Sequence, residues 1–334
     1  MELSAKPGMI LTGTGSAVPS SYLDNHQLCQ VLVTSDEWIK TRTGIGRRHL
    51  LPPDESLTTL ATQAAQKAIA NAGLAPEQID LILLATSTPD DLFGSASQIQ
   101  AQLGATYAVA FDLTAACSGF VFGLVTAAQF IRTGAYRTIL LIGADALSRW
   151  VDWSDRRTCV LFGDAAGAVV LQASEHDHLL GFHLQTNGTQ NHHLNLTYQA
   201  KSRTLTDSLC VGQGTYQAMT MNGQDIYRFA VQRVPEAIEK ALFKAGLAVE
   251  QVDWLLIHQA NQRIINAVAE RLGIPVEKTI SNIAKYGNTS AASIPLALDE
   301  VTHQGQIQPG DLVAMAGFGA GLSWGAALLQ WKLF

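Results

Sequence analysis

The sequence predicts an α/β protein made of two duplicated halves. Three observations support this fold class. Segments with helical periodicity alternate with short apolar segments, several of the apolar segments carry no polar interruption, and two pairs of segments repeat in the same order. Alternation of helices and strands is typical of sheets covered by helices. Continuous apolar runs are typical of strands that are buried on both faces.

The repeat is visible at two places in each half. Residues 72–85 (AGLAPEQIDLILLA) and 245–258 (AGLAVEQVDWLLIH) are identical at eight of fourteen positions. Residues 163–172 (GDAAGAVVLQ) and 321–330 (GLSWGAALLQ) are identical at five of ten. Because the two pairs occur in the same order, the simplest interpretation is one α/β unit that was duplicated.

In the first half, apolar periodicity that stops at Ala-Gly predicts a helix over 56–72. The charge-free stretch that follows Cys117 predicts a helix over 117–132, buried all round and ended by Gly134. Apolar runs bounded by turn residues or charges predict strands at 79–85, 137–145 and 166–172.

In the second half, helical periodicity predicts helices at 225–245 and 262–272, and apolar runs predict strands at 252–258 and 311–318. Residues 183–215 are polar and fit neither half, so we expect them to form a connecting excursion. The predicted domains are therefore an N-terminal half at 1–180 and a C-terminal half at 181–334.

Composition narrows the functional class. The net charge of −6 over 334 residues argues against a nucleic-acid partner and against binding to an anionic membrane. No long apolar window predicts a membrane span, and the N-terminus lacks the pattern of a signal peptide. The few cysteines form no CxxC pair, which argues against structural zinc and favours a reduced, cytoplasmic protein. The cysteines are Cys29, Cys117, Cys159 and Cys210.

Cys117 is the candidate nucleophile. It lies at the predicted start of a helix, where the positive end of the macrodipole and free backbone N–H groups favour thiolate. We therefore expect its pKa to be lowered. Small neighbours, TAACSG, allow a tight turn and close approach of a ligand. The alternative interpretation is an inert cysteine buried in the core.

Three further segments carry residues with matching chemistry. His258 ends a predicted strand in IHQAN, although a strand histidine also fits a satisfied core residue. Asn288, in KYGNTSAAS, precedes a predicted helix and also fits an N-cap. The glycine-rich GFGAGLSWG at 317–325 fits a tight turn, or a loop whose backbone N–H groups bind an oxyanion.

Together these segments supply a nucleophile, a histidine, an amide and an oxyanion loop, a set that suits acyl transfer through a thioester. Alignment of the two copies of the repeat gives Cys117 and Ser290 equivalent positions, so both would begin equivalent helices. The histidine-containing EHDH and NHH segments lack a matching set of ligands, so we expect no metal site.

The combined motifs resemble those of a known family. TAACSGF, IHQANQRI, YGNTSAAS and GFGAGLSWG resemble the β-ketoacyl-acyl-carrier-protein synthase III family, the initiating condensing enzymes of type II fatty-acid synthesis. TSDEWIKTRTGI and FGDAAGAVVL also resemble that family, and STPDDLFGSA is similar to versions from photosynthetic bacteria and plastids. The resemblance covers essentially the whole chain.

The resemblance implies a thiolase-like fold, with duplicated α/β halves in a five-layered arrangement, and a homodimer. It implies that Cys117 is acylated by acetyl-CoA and that His258 and Asn288 act on malonyl-acyl carrier protein as carbon dioxide leaves. The implied products are 3-oxobutanoyl-acyl carrier protein, CoA and CO2. No cofactor is implied, since coenzyme A enters as a thioester substrate.

The resemblance also implies roles for residues around the catalytic group. Backbone N–H groups of Cys117 and Ala320 would form the oxyanion hole, and Phe162 and Phe318 would flank the site. Coenzyme A would be bound near its adenine by Trp, Arg and Thr side chains, and along its pantetheine arm by an Asn. The matching residues are Thr34, Trp38, Arg42, Arg156 and Asn261.

In the family the acidic carrier protein docks on a basic patch, for which the matching residues are Arg228, Arg263 and Arg271. Glu270 stands where some relatives are basic, so the patch is expected to be weaker or shifted toward Arg271. The segment around Phe93, which reaches the acyl pocket of the partner subunit in some relatives, is one residue shorter here. The preferred starter acyl group therefore stays open.

Other functions fit parts of the pattern. Another thiolase-fold Cys-His-Asn acyltransferase, such as a chalcone-type polyketide synthase or an acyl-CoA:acyl-carrier-protein transacylase, would use the same three residues. A Cys-His hydrolase would release free acid. A non-enzymatic protein that binds coenzyme A would keep Trp38 and Arg42 but lose the catalytic set.

Overall fold

The computed structural model describes residues 7–332. The predicted halves extend beyond it by residues 1–6 and 333–334, which lie outside the described residues. The strands are β1 (Gly8–Ala17), β2 (Tyr22–Asp24), β3 (Arg47–His49), β4 (Leu81–Ala85), β5 (Val109–Leu113), β6 (Thr138–Asp145), β7 (Ala165–Ser174), β8 (Leu179–Thr186), β9 (Leu194–Asn195), β10 (Tyr198–Thr206), β11 (Leu209–Tyr216), β12 (Thr220–Met221), β13 (Trp254–Ile257), β14 (Leu312–Gly319) and β15 (Ser323–Gln330). The helices are α1 (Asn25–Leu28), α2 (Asp36–Thr43), α3 (Leu57–Asn71), α4 (Ala96–Leu103), α5 (Gly119–Arg132), α6 (Gly223–Ala245), α7 (Gln262–Leu272), α8 (Ile283–Tyr286) and α9 (Ser293–His303).

Two mixed sheets form the centre of the protein. The first has the order β1-β7-β6-β4-β5, and the second has the order β13-β14-β15-β8. In the first sheet β4 runs parallel to β5 and β6, whereas β7 is antiparallel to β6 and β1. In the second, β13 and β14 are parallel, and β15 is antiparallel to β14 and β8. The two sheets therefore repeat one topology, which confirms the predicted duplication.

The sheets and helices stack in five layers. Helices α3 and α4 cover the outer face of the first sheet, and α6 covers the second, with α7 packed against α6. Helices α5 and α9 lie between the sheets and contact both. Strands β4 and β6 are buried along their whole length, as expected for strands covered on both faces. The predicted five-layered arrangement is thus confirmed.

Most predicted elements occur within a few residues of their expected bounds, and α7 matches its predicted range. Helix α5 differs in two ways. It begins at Gly119 because residues Ala116–Ser118 form a separate 3₁₀ turn. It is also not buried all round, since Thr126 and Gln129 are exposed.

The interpretation of 183–215 as an excursion that fits neither half was wrong at its start. Residues 183–186 belong to β8, an edge strand of the second sheet that pairs with β15. The later part is an exposed antiparallel hairpin of β10 and β11. The predicted boundary at 180/181 falls inside β8, and the exact division into halves stays a prediction.

Candidate active site

The ends of the central strands bring the candidate residues to one cavity. Cys117 follows β5, and His258 directly follows β13, where its backbone N–H donates to Ala316 O at 2.8 Å. Asn288 is held by a backbone bridge to Phe162. A cavity of about 590 Å³ is lined by all three of Cys117, His258 and Asn288. The structure thus gathers three residues that lie far apart in sequence.

The turn that carries Cys117 is constrained on both sides. Ala116 has a positive φ of 48°, a conformation that costs a non-glycine residue about 1–2 kcal/mol. Gly319 approaches the turn so closely that a Cβ at this position would lie 2.9 Å from the backbone nitrogen of Cys117. Only glycine permits this contact, and the packing fixes where the thiol lies.

A second turn of the same shape faces the first. Ser290 has φ of 52° and begins the 3₁₀ turn Ser290–Ala292 before α9, as Ala116 does before α5. Matching the two strained residues pairs Cys117 with Ala291, so the predicted pairing with Ser290 was wrong by one residue. The Ser290 hydroxyl donates to Cys117 Sγ at 3.2 Å.

Burial controls the acidity of Cys117. The residue is 7% exposed, and burial raises the pKa of its thiol to about 12, with the nearby charge of Asp145 adding to the effect. The Ser290 hydroxyl and the Cys117 backbone N–H act in the opposite direction on this pKa. The expectation of a lowered pKa was therefore wrong, because desolvation of the charged form outweighs the hydrogen bonds that favour it.

His258 is neutral and firmly oriented. Burial lowers the pKa of its imidazole to about 3, so the ring carries no charge near neutral pH. Its Nδ1 lies 2.7 Å from Ser293 Oγ at the start of α9. The ring of Phe318 packs edge-on against the imidazole with centroids 5.2 Å apart. The histidine therefore has one ring nitrogen occupied and the other available for a ligand.

The Asn288 side chain is also oriented by its surroundings. Its Oδ1 accepts a hydrogen bond from the Ser290 backbone N–H at 2.9 Å, although the N-cap position of the turn that follows is occupied by Thr289. Its own backbone N–H donates to Leu161 O at 2.8 Å. With Oδ1 occupied, the Nδ2 amide is the group that can donate to a ligand in the cavity.

The residues predicted to bind coenzyme A include two contacting pairs, Arg156 with Trp38 and Asn261 with Arg42. The guanidinium of Arg156 lies 5.0 Å from the ring centroid of Trp38 and donates to Val33 O at 3.1 Å. The Thr34 hydroxyl is buried without a hydrogen-bond partner among the described residues. Asn261 Nδ2 donates to Arg42 O at 3.0 Å, and both residues line the cavity.

The predicted aromatic and oxyanion residues surround Cys117. Phe162 and Phe318 line the main cavity, and Ala320 begins the turn that follows β14. Cys117, Phe162 and Ala320 also line a second cavity of about 500 Å³. The thiol therefore stands between two spaces, one of which contains the histidine and the asparagine.

The three arginines predicted to dock the carrier protein differ in their surroundings. Arg228 and Arg263 line the main cavity, with the Arg263 guanidinium 5.4 Å from the Tyr227 ring centroid. Arg271 instead donates to Val231 O at 3.2 Å and lies 3.9 Å from a carboxylate oxygen of Glu236. It is directed toward α6.

Known proteins share both the sequence and the fold. Residues 111–188 match the family described as 3-oxoacyl-[acyl-carrier-protein (ACP)] synthase III, and residues 242–331 match the corresponding C-terminal family. The β-ketoacyl-[acyl-carrier-protein] synthase III of a Nostoc species is 66% identical over 97% of this chain and 98% of its own. This chain belongs to the β-ketoacyl-[acyl-carrier-protein] synthase III family. The protein of that name from Synechococcus elongatus is 65% identical over 97% of each chain.

Solved structures agree with this assignment. The 3-oxoacyl-[acyl-carrier-protein] synthase III of Aquifex aeolicus has a TM-score of 0.89 at 45% identity, covering 97% of this chain and 100% of its own. The priming β-ketosynthase of the R1128 polyketide pathway has the same TM-score at 34% identity, with 98% of each chain covered. The predicted family, thiolase-like fold and acyltransferase activity are confirmed, and the similarity to cyanobacterial members is confirmed as well.

Two further observations on this member of the synthase III family concern metal ligands and membrane spans. Between residues 7 and 332, no group of three or more His, Cys, Asp or Glu side chains is arranged to hold a metal. None of the helices in the same range combines the length with the apolar character of a membrane span.

Sequence reasoning missed two polar residues of this site, Asp145 and Ser293, and it named Ser290 without its contact to the thiol. Asp145 ends β6 and is fully buried, Ser290 begins the turn opposite Cys117, and Ser293 begins α9. The signal for Asp145 was a carboxylate at the carboxyl end of a strand, where α/β folds place their ligands. The serines are part of YGNTSAAS, but nothing in that segment indicates which side chains they contact.

Proposed function

We propose that the chain catalyses the decarboxylative condensation of acetyl-CoA with malonyl-acyl carrier protein. The products are 3-oxobutanoyl-acyl carrier protein, CoA and CO2, and the reaction begins a fatty-acid chain. The observation that supports this function best is that Cys117, His258 and Asn288 line one cavity. A nucleophile beside two neutral hydrogen-bond donors suits a reaction that makes an acyl-enzyme and then an enolate.

In the first stage the Cys117 sulfur attacks the thioester carbonyl of acetyl-CoA, and the coenzyme A thiol leaves. The carbonyl oxygen becomes an oxyanion as this bond forms. We assign its stabilisation to the backbone N–H groups of Cys117 and Ala320, because Gly319 packs against the Cys117 backbone and brings the following residue to the same side. A single donor of this kind contributes about 3 kcal/mol to the transition state.

In the second stage His258 donates a hydrogen bond to the malonyl thioester oxygen. The Ser293 hydroxyl accepts from the Gln259 backbone N–H at 3.3 Å and lies 2.7 Å from His258 Nδ1. Since one lone pair of this oxygen is already used, its own O–H is best satisfied by donating to Nδ1. The imidazole proton then resides on Nε2, where it can stabilise the developing enolate.

Asn288 supplies the second donor. The amide orientation fixed by Ser290 leaves its Nδ2 free for the same thioester oxygen. Both donors are neutral, so neither offers a strong acid that would trap the enolate as an enol. As CO2 leaves, the carbanion attacks the acetyl group on Cys117, which returns the free thiolate.

We assign the adenine of coenzyme A to the pair Trp38 and Arg156. Planar indole and guanidinium groups stack on a purine, and arginine also reaches phosphate. The unpartnered Thr34 hydroxyl suits a polar edge of the same ring. Arg42 and Asn261 would contact the rest of the coenzyme, since both line the route to Cys117. The acyl donor is thus a substrate, and we propose that the reaction needs no bound cofactor.

For the acidic carrier protein we propose a docking patch that consists of Arg228 and Arg263. Both side chains are exposed beside the cavity that receives the malonyl group. Arg271 contributes less, because its guanidinium donates to Val231 O and it does not line the cavity. Arg228 also has a carboxylate neighbour, Asp225 at 3.4 Å, but it lines the cavity. The patch is therefore small, as the acidic Glu270 suggested.

We propose a homodimer that forms through β5. This strand is at the edge of the first sheet, and an edge strand presents unpaired backbone groups that favour pairing with another chain. The surface around it is apolar: Phe93 is 99% exposed and Tyr107 81% exposed. Exposed apolar groups beside an open strand are typical of a subunit interface.

We also propose that the enzyme works in the cytoplasm, because the four cysteines of the described residues are free thiols and the cytoplasm keeps thiols reduced.

The function can be tested with purified enzyme, acetyl-CoA, and either malonyl-acyl carrier protein or malonyl-CoA. We expect one condensation with the carrier-protein substrate, and an acetyl adduct on Cys117 by mass spectrometry. Cys117→Ala should abolish the adduct. Preference for malonyl-CoA with repeated extension would indicate a chalcone-type enzyme instead, and release of free acetate without a malonyl donor would indicate a hydrolase.

A further inference from the structure

Asp145 is a buried carboxylate that the proposed reaction does not use. It is fully buried at the end of β6. Its Oδ1 accepts hydrogen bonds from Thr86 Oγ1 at 3.2 Å, Ser87 N at 2.8 Å and Thr88 Oγ1 at 3.0 Å. Its Oδ2 accepts from Ala291 N at 3.2 Å. A carboxylate surrounded only by neutral donors is expensive to bury, so its presence beside the nucleophile calls for a role.

Ser290 connects this carboxylate to the nucleophile. Its hydroxyl donates to Cys117 Sγ at 3.2 Å and also acts on the Asp145 carboxyl, whose Oδ2 accepts from the backbone N–H of the next residue, Ala291, at 3.2 Å. The hydroxyl cannot move far, because the Ser290 N–H is held by Asn288 Oδ1 and the next N–H is held by Asp145. A thiol, a hydroxyl and a carboxylate therefore form a fixed row inside the protein.

We propose that Asp145 is a positioning residue that takes up the proton of the Cys117 thiol through the hydroxyl of Ser290. This inference rests on the proposed function only in making Cys117 the nucleophile. It adds a residue on β6 to a site whose other polar groups come from loops and helix starts.

The proton transfer balances within the row. The S–H bond of Cys117 breaks as its proton passes to Ser290, and the Ser290 proton passes to Asp145. The resulting carboxylic acid donates to Ser290, which in turn donates to the thiolate, the direction seen for the Ser290–Cys117 contact. The thiolate then attacks the thioester carbonyl, the C–S bond to coenzyme A breaks, and the departing thiolate recovers the proton.

The neighbouring histidine is a poor substitute for this role. Burial lowers the pKa of His258 to about 3, so the imidazole has little affinity for a proton. Burial instead raises the pKa of Asp145, which makes its carboxylate a better acceptor. The groups that face Asp145 are otherwise neutral: hydroxyls of Thr86, Thr88 and Ser290, and backbone N–H groups of Ser87 and Ala291. The charged state of Asp145 itself also acts on the Cys117 thiol.

Internal transfer gives an unusual pH dependence. A proton that moves between Cys117 and Asp145 leaves their total charge unchanged, so the thiolate population is independent of pH between the titrations of the two groups. Without Asp145, thiolate forms only by loss of a proton to water, and its population rises about tenfold per pH unit below the thiol pKa.

The test is site-resolved alkylation of the full chain by iodoacetamide between about pH 6 and pH 8, read by peptide mass spectrometry. The exposed Cys210 provides an internal reference in every sample. The variants are Asp145→Asn and Ser290→Ala. The matched control is Asp164→Asn, because Asp164 is also fully buried and hydrogen-bonded by a serine, Ser148, but its hydrogen bonds come from Leu51 and Ser148 rather than from the turn opposite Cys117.

We expect a flat alkylation profile for Cys117 in the unmodified protein and in Asp164→Asn. In Asp145→Asn and in Ser290→Ala we expect Cys117 to be alkylated more slowly at neutral pH than in the unmodified protein. The alkylation rate of these variants should rise about tenfold per pH unit. Acylation by acetyl-CoA should fall on the order of 100-fold in both variants, the usual contribution of a proton acceptor.

Several outcomes would overturn the proposal. Faster alkylation of Asp145→Asn at pH 7 would make Asp145 a fixed negative charge that only suppresses the thiolate. A sloped profile in the unmodified protein, or the same slope in Asp164→Asn, would also refute internal transfer. If Asp145→Asn does not fold, Ser290→Ala alone decides the test. A flat alkylation profile in Ser290→Ala would refute proton transfer from Cys117 to Asp145 through Ser290. Failure of acetyl-CoA to acylate the unmodified protein would refute the proposed function instead, since alkylation does not depend on it.

Discussion

His258 Nδ1 and Ser293 Oγ lie 2.7 Å apart, and both side chains are 1% exposed. This contact joins the end of β13 to the start of α9 and determines which nitrogen of the imidazole faces the cavity. It also excludes water from the occupied nitrogen. We therefore expect the reaction to depend on a serine that orients His258.

Replacing that serine should impair condensation selectively. In Ser293→Ala the proton of His258 is no longer held on Nε2, so we expect the condensation rate to fall about tenfold, in line with loss of one hydrogen bond, while acetylation of Cys117 changes little. Nitrogen-15 NMR of labelled histidine should show a shift of the tautomer away from Nε2–H. Ser148→Ala, which alters a buried serine outside the cavity, should leave the tautomer unchanged; a change in both variants would indicate a general structural effect.

The two neutral donors should matter more for decarboxylation than for acylation. We expect His258→Ala and Asn288→Ala each to slow release of CO2 from malonyl-acyl carrier protein by about 10²–10³-fold, the cost of removing one oxyanion donor. Acetylation of Cys117, followed by mass spectrometry, should change far less. Equal losses in the two half-reactions would contradict this division of roles.

Burial of a neutral histidine predicts a pH-dependent stability. The pKa of His258 is lowered to about 3, so below its ordinary value of about 6.5 the unfolded chain binds a proton that the folded chain does not. Above a pH of about 6.5 neither state binds this proton, so His258 does not lower the stability. Stability is then lost as pH falls, by about 1.4 kcal/mol per pH unit, or about 2 kcal/mol at pH 5. Urea unfolding of the unmodified protein and of His258→Gln, each at pH 7 and pH 5, isolates the contribution of His258 to the free energy of unfolding. An equal loss of stability in both proteins would refute that contribution.

Trp38 should act on coenzyme A rather than on the acyl group. We expect Trp38→Ala to raise the KM for acetyl-CoA about tenfold, which corresponds to the stacking and cation–π energy of about 1–2 kcal/mol, with kcat little changed. An acetyl thioester of N-acetylcysteamine lacks the adenine and should be used equally well by both proteins. A parallel loss with this short substrate would show that Trp38 supports the fold of the site instead.

A charge on the open edge strand should dissociate the proposed dimer. Val109 lies on β5 and is 48% exposed, and a lysine on an edge strand opposes pairing with another chain. We expect Val109→Lys to sediment as a monomer in analytical ultracentrifugation. Phe243→Lys changes an apolar residue that is 86% exposed on α6, and it should leave the assembly intact. A dimer that persists in Val109→Lys would place the interface elsewhere.

Local patterns were sufficient to predict the layers of the fold. Strand β4 and its repeat β13 could be located because a strand buried on both faces needs an unbroken apolar run. The hairpin of β10 and β11 could not, since its exposed residues carry no burial pattern. The start of α5 was misplaced by the turn at Ala116, whose positive φ is imposed by neighbouring chain rather than by alanine itself.

The sequence by itself determined the duplicated α/β architecture and the family, because both depend on residue type and local order. It also predicted Cys117, His258 and Asn288 as the catalytic residues. Only the tertiary structure decided how these residues behave. Burial reversed the expected pKa shift of Cys117, Ser293 oriented His258, and Ser290 joined Asp145 to the thiol. Desolvation and hydrogen bonding depend on groups more than 100 residues apart in the chain, such as Ala291 and Asp145, and packing alone brings them together.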